Sequence, residues 1–185
     1  MDYIVKRLME LQDLKYRDFH SKLMPGIDKE LVIGVRTPQL RKLAKDLVRE
    51  DKDAVLEFMC RLPHKYYEEN NLHGIFIGLL AKSPAEAIEM IDMLLPYVDN
   101  WATCDLLPPK IFKKDLPLVR KSIMPWLESD QVYRVRFAIV TMLGYFLEEE
   151  FRREDLEILA KIKSEEYYIN MAVAWYYSYA LIKQY

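Results

Sequence analysis

The chain has 185 residues, of which 51% are hydrophobic and 30% charged, with a formal net charge of −2. That profile excludes a disordered chain and allows one domain with a sizeable core, while giving no global basic field that would by itself argue for nucleic acid. No apolar run approaches the roughly 20 residues that span a bilayer.

Only five glycines occur and β-branched alternation is scarce, so helix is expected throughout. The N-terminal stretch MDYIVKRLMELQDLKY is amphipathic and charged, without the apolar centre of a signal peptide. RTPQLRKLAKDLVRE (36–50) offers Thr37 as N-cap and Pro38 at the first helical position, with Leu40, Leu43, Ala44 and Leu47 at helical spacing. DKDAVLEFMCRL (51–62) and KYYEENNLHGIFIGLLAK (65–82) continue the same period. In KSPAEAIEMIDMLLPYV (82–98), Ser83 caps, Pro84 starts the helix and Glu86 completes a capping box. YVDNWATCDLLPPK (97–110) then sets Trp101 and Asp105 four residues apart, on one face of a helix that Pro108 and Pro109 end. DLPLVRKSIMPWL (115–127), DQVYRVRFAIVTMLGYFLEE (130–149), REDLEILAKIK (153–163) and EEYYINMAVAWYYSYALIK (165–183) complete the series. Connections are short, so sequential neighbours should pack antiparallel. The expectation is an all-α protein of about nine helices, folded as a single domain over 1–185.

A weak repeat organises these helices. SDQVYRVRFAIV (129–140) and SEEYYINMAVAW (164–175) share Ser129/Ser164 and Tyr133/Tyr168 in register, 35 residues apart, and Tyr67 lies 66 residues before Tyr133. Helix pairs repeated at such a period predict an α-solenoid (superhelical) of stacked antiparallel HEAT-like helix pairs, working through its concave face. An irregular helical bundle is the alternative. In a solenoid, successive repeats would bring Trp101, Asp105, Arg136 and Trp175 to corresponding places on adjacent helices, an aromatic-walled cleft with one acid and one base. Taken singly, each has a plainer reading: a Trp in the core, an Asp capping a turn, and Arg136 paired with Asp105 in a structural salt bridge.

Other chemistries find little footing. His20, His64, His73, Cys60 and Cys104 show no metal-ligand spacing, so no metal and no cofactor are expected. Cys104 has no neighbouring His and reads as a small buried residue. There is neither a phosphate loop nor a nucleophile elbow. Gly74 and Gly78 suggest close helix packing. Two cysteines are too few for a disulfide framework, which suits the cytoplasm.

VDNWATCDLL (98–107), YRVRFAIVTML (133–143), YYINMAVAWYYSYALIK (167–183) and GVRTPQLRKLAKDL (34–47), in that relation, resemble the DNA alkylation repair enzyme family, the AlkD-like DNA glycosylases built from HEAT-like repeats. The resemblance implies excision of N3- and N7-alkylated purines from double-stranded DNA, without the base flipping common to other glycosylases. It places Trp101, Asp105 and Trp175 at the catalytic site and Arg136 at a DNA-contacting position. It also makes Gly34, Arg36, Thr37 and Pro38 a loop-to-helix turn facing DNA.

Duplex binding needs cations for the phosphates. Arg36, Arg41, Lys42 and Lys45, then Lys110, Lys113 and Lys114, then Arg120 and Lys121 supply clusters, with Arg36, Lys110 and Lys113 the chosen contacts beside Arg136. Acids gather elsewhere, in LEEEF (147–151) and YEEN (67–70). The expected partner is alkylated double-stranded DNA, bound by a monomer that is cytoplasmic and nucleoid-associated when engaged. Family members often continue with further helices where this chain stops at ALIKQY, so the expectation is either a short subfamily member or a trimmed chain lacking a C-terminal repeat present in relatives. A non-catalytic helical-repeat module, binding DNA or a protein partner through the same face, is the competing function.

Overall fold

The computed structural model describes residues 3–184, and every regular element in them is helical. Eleven α-helices occur among the described residues: α1 (Tyr3–Met9), α2 (Leu14–His20), α3 (Thr37–Glu50), α4 (Lys52–Cys60), α5 (Tyr67–Leu80), α6 (Pro84–Leu94), α7 (Trp101–Leu106), α8 (Leu116–Leu127), α9 (Val132–Tyr145), α10 (Arg153–Ala160) and α11 (Tyr167–Lys183). Short 3-10 turns at Ser21–Leu23, Lys29–Leu31, Leu95–Tyr97 and Lys110–Lys114 link them. The single-domain expectation included residues 1, 2 and 185, which lie outside the described residues.

Local chemistry fixes the helix starts. Asp13, Asp51, Ser83, Asn100 and Asp115 each accept the backbone N–H three residues on, at 2.8–3.1 Å, satisfying a donor that a helix start leaves without a partner. The Ser83 cap matches the sequence, but Glu86 reaches past it to the Lys82 N–H at 2.7 Å. At α3 the start falls one residue earlier than expected. Thr37 is already helical, and the Arg36 N–H is met by Gln39 Oε1 at 3.4 Å.

Alternate helices form a row. Glu68 at the start of α5 binds the segment leading into α3, and Tyr67 of α5 shares an apolar cluster with Trp101 of α7. Cys104 Sγ of α7 donates to the Tyr133 carbonyl of α9 at 3.3 Å, and Arg136 of α9 donates to the Tyr168 carbonyl of α11 at 2.8 Å. At the opposite ends Tyr145 OH donates to Pro109 O at 2.8 Å, and Gln184 Nε2 to Leu147 O at 2.7 Å. Starts meet starts and ends meet ends, so α3, α5, α7, α9 and α11 run the same way. The intervening α4, α6 and α8 return the chain, α4 against α3, α6 against α5, and α8 against both α6 and α9. One apolar core runs through α1 and α3 to α11, with Phe76, Phe112, Phe137 and Tyr176 fully buried in it.

Candidate functional site

Helix α7 carries the central pair, and a compact set of bonds aims it. The buried Asn100 accepts the Thr103 N–H and donates to Asp99 Oδ1 at 2.9 Å and Thr103 Oγ1 at 3.0 Å. The helix is six residues long, stopped before Pro108 and Pro109, which lack the N–H needed to continue it. Trp101 and Asp105 therefore sit on one face in a fixed register.

Trp101 is half-buried. Its indole Nε1 donates to the Leu23 carbonyl at 3.0 Å, and its ring packs on the cluster of Met24, Ile27, Val32 and Tyr67. Asp105 is gripped at both oxygens by Arg136, with Nε to Oδ1 at 2.8 Å and Nη2 to Oδ2 at 2.7 Å. The arginine side chain is 1% exposed and the aspartate 18%, so the acid alone of the two keeps access to solvent. Burial alone would pull the Arg136 guanidinium down, but the paired carboxylate outweighs it and the net shift is upward.

Arg136 thus does not sit on an exposed surface. All three of its bonds are inward, two to Asp105 and one to Tyr168 O, which is the salt-bridge alternative raised by the sequence. Trp175 is half-buried on α11, seven residues and about two turns beyond Tyr168. Its ring meets Tyr179 edge-on at 6.0 Å, while Tyr168 meets Tyr133 of α9, also at 6.0 Å. Cys104 is sealed, its thiol pushed well up by burial and by the neighbouring Asp105 charge, and a nucleophilic role is unsupported.

The cations divide. Arg36 is exposed but engaged, 3.1 Å from Asp13 and stacked 4.4 Å over the Tyr16 ring. Thr37 is partly buried at the first position of α3. Lys110 and Lys113 are exposed on the 3-10 turn that follows α7. Lys110 borders a groove with Arg41 and Lys45, whereas Lys113 lies outside it.

The acids of YEEN are not a surface patch. Glu68 is fully buried, and its carboxylate accepts the N–H groups of Ile33 (2.8 Å), Gly34 (2.7 Å) and Val35 (3.1 Å). Gly34 there has φ +94, a conformation that favours glycine. Glu69 binds the Lys65 and Tyr66 N–H groups. The turn before α3 is therefore tied to α5 from inside. Two adjacent glutamates between tyrosines look solvated in a sequence, and only the three consecutive N–H groups around a Gly hint that an acceptor is needed.

Among the described residues no group of three or more His, Cys, Asp or Glu could hold a metal, and no helix is long and apolar enough to cross a membrane. What the fold and site define is an all-helical protein that presents a partly open, arginine-held carboxylate and a tryptophan from one short helix of a parallel row. The family model for DNA alkylation repair enzymes matches residues 4–178, and the chain belongs to that family. DNA is the substrate that membership implies. No curated protein and no solved structure matches the chain.

Proposed function

We propose that this protein is a monofunctional DNA glycosylase that excises cationic N3- and N7-alkylated purines from double-stranded DNA. The observation that carries the reading is Asp105, held at both oxygens by Arg136, partly open to solvent, and on the same face of α7 as Trp101. An ionised carboxylate offers about four lone-pair sites, and Arg136 occupies two. The rest are free for a water and for the electrostatic field on a sugar.

The chemistry matches that residue set. An alkylated purine is already positively charged, so the C1′–N bond breaks with its electron pair moving to the base, which leaves neutral. Positive charge develops on the deoxyribose, where a fixed carboxylate stabilises it and orients the incoming water. Water adds to C1′ and gives up a proton, leaving an abasic sugar. No leaving-group acid is required. Trp101 and Trp175 serve as aromatic faces beside the sugar, adding cation–π attraction as charge grows. Arg136 acts through Asp105 as a positioning residue in this arrangement, while Lys110, Lys113 and the Arg36–Thr37 turn supply contacts to the duplex.

The parallel row supports reading the chain as one HEAT-like superhelical domain, with the returning helices forming the outer layer. The protein then acts as a monomer, cytoplasmic and nucleoid-associated on DNA. A second reading, a non-catalytic helical module binding DNA, is favoured by the two-point Asp105–Arg136 pair, since such an ion pair also serves as a structural tie.

Release of 7-methylguanine from methylated duplex DNA separates the two, comparing the wild type with Asp105→Asn and checking both by thermal melting. The glycosylase reading expects release that collapses in the variant while duplex affinity holds. A wild type that binds duplex in a salt-dependent manner yet releases no base overturns it.

A further inference from the structure

Beside the Asp105 site lies a groove of about 350 Å³, bounded by α3, α5 and the segment after α7. Arg41 and Lys45, one turn apart on α3, line one side, and Lys110 lines the other. All three are exposed, and none forms an ion pair among the described residues. The lining contains no acid. Glycine keeps its floor clear of side chain: Gly78 is exposed, and a Cβ built there would stand 3.9 Å from the Pro109 ring.

The walls are already set. Leu107 is buried against Gly74, and the carbonyl of Pro109 accepts both Tyr145 OH at 2.8 Å and the Phe112 N–H at 3.1 Å. Aliphatic carbons of Ile75, Leu79, Leu106 and Pro108 complete them. A shallow, aliphatic-sided channel with three uncompensated cations suits a chain of alternating anions and apolar rings. We infer that this groove is a track for the sugar–phosphate backbone of one DNA strand, with phosphates on Arg41, Lys45 and Lys110 and deoxyribose faces on the aliphatic walls. The inference rests on the proposed DNA substrate. It assigns to Arg41 and Lys45 a binding role independent of Asp105, and it leaves Lys113 outside the track. The groove wall includes Leu106, the residue after Asp105 on α7.

The test is a salt titration of affinity for an undamaged duplex. Removing three phosphate contacts lowers the slope of log K against log salt by about 2.7, at about 0.9 per neutralised phosphate. The Arg41→Ala/Lys45→Ala/Lys110→Ala variant should show that drop, with Lys161→Ala, exposed just after α10, as a control that keeps the wild-type slope. Gly78→Leu puts a side chain into the channel at an exposed helical position where leucine is a better helix former, and should weaken duplex binding roughly tenfold or more. A wild-type slope in the triple variant, or wild-type affinity in Gly78→Leu, overturns the inference. Binding through the groove with no base release would sink the glycosylase reading alone, and base release with an unchanged salt slope would sink the track alone.

Discussion

Arg136 and Asp105 form a two-point ion pair in which the cation is sealed and the anion is not, their side chains being 1% and 18% exposed. The asymmetry decides how each can be changed. Cutting the pair from the acid side leaves a buried guanidinium that still reaches Tyr168 O. Cutting it from the arginine side leaves a cavity and an uncompensated acid.

Arg136→Met should therefore cost about 3–5 kcal/mol, the usual penalty for breaking a buried pair. At about 2–4 °C per kcal/mol for a chain of this size, the melting temperature should fall by roughly 10 °C. Arg136→Lys, which keeps charge but loses the two-point geometry, should melt closer to the wild type yet lose base release. A lysine variant with unimpaired release would show that the orientation of Asp105 is not set by the fork.

His73 gives a pH signature. It is buried beside His64, whose Nε2 lies 2.9 Å from His73 Nδ1, and burial together with the His64 charge pushes its pKa down from 6.5 to about 3. Between those values the unfolded chain binds a proton that the folded one refuses, so stability falls as pH falls. The loss should be about 1 kcal/mol between pH 6.5 and 5.5, steepening toward about 1.4 kcal/mol per pH unit below that. Denaturant unfolding at pH 6.5 and 5.5 measures it, and His73→Asn should flatten that part of the profile. A profile equally steep in the variant would place the acid sensitivity elsewhere.

Gly74 and Gly78, one turn apart on α5, should respond to alanine with opposite signs. A Cβ on Gly74 would stand 2.4 Å from Leu107 Cδ2, whereas on Gly78 its nearest neighbour is 3.9 Å away. Gly78→Ala gains up to about 1 kcal/mol from helix propensity. Gly74→Ala gains the same but forces a buried leucine aside, at about 1–3 kcal/mol, and should come out net destabilised. Equal melting shifts for the two would show that Leu107 moves freely.

Glu68→Ala strands three backbone donors at the turn before α3. At about 1–3 kcal/mol for each buried group left unsatisfied, a loss of at least roughly 3 kcal/mol is expected. Hydrogen exchange at Ile33, Gly34 and Val35 should accelerate first. Protection there that survives the substitution would mean another acceptor holds the turn.

Much of this was legible beforehand because helices announce themselves through 3.6-residue spacing and through caps. Ser83-Pro84 and the proline stop after α7 are local chemistry, and local chemistry is written in consecutive residues. The Trp101–Asp105 face was equally visible, being four residues apart. The Asp105–Arg136 fork spans 31 residues, and the sequence could offer it only as one of two uses for the arginine. Glu68 is not legible as a buried acceptor, because its partners lie 33–35 residues away and are backbone atoms, which have no letter in a sequence. In the sequence Gly78 reads as a packing residue like Gly74; what separates them is which loop follows α7 and where it lands.

Among the described residues the bonds that join α7, α9 and α11 link immediate neighbours: α7 to α9 at Tyr133 O and at the Asp105–Arg136 pair, and α9 to α11 at Tyr168 O. Trp101 and Trp175 are thus spaced by successive junctions, as divisions are along a ruler. A single residue inserted in α9 ahead of Arg136 would rotate everything beyond it by about 100°. The arginine would leave Asp105, and α11 would lose its anchor at Tyr168. Length, far more than side-chain identity, is what the middle of α9 cannot tolerate changing.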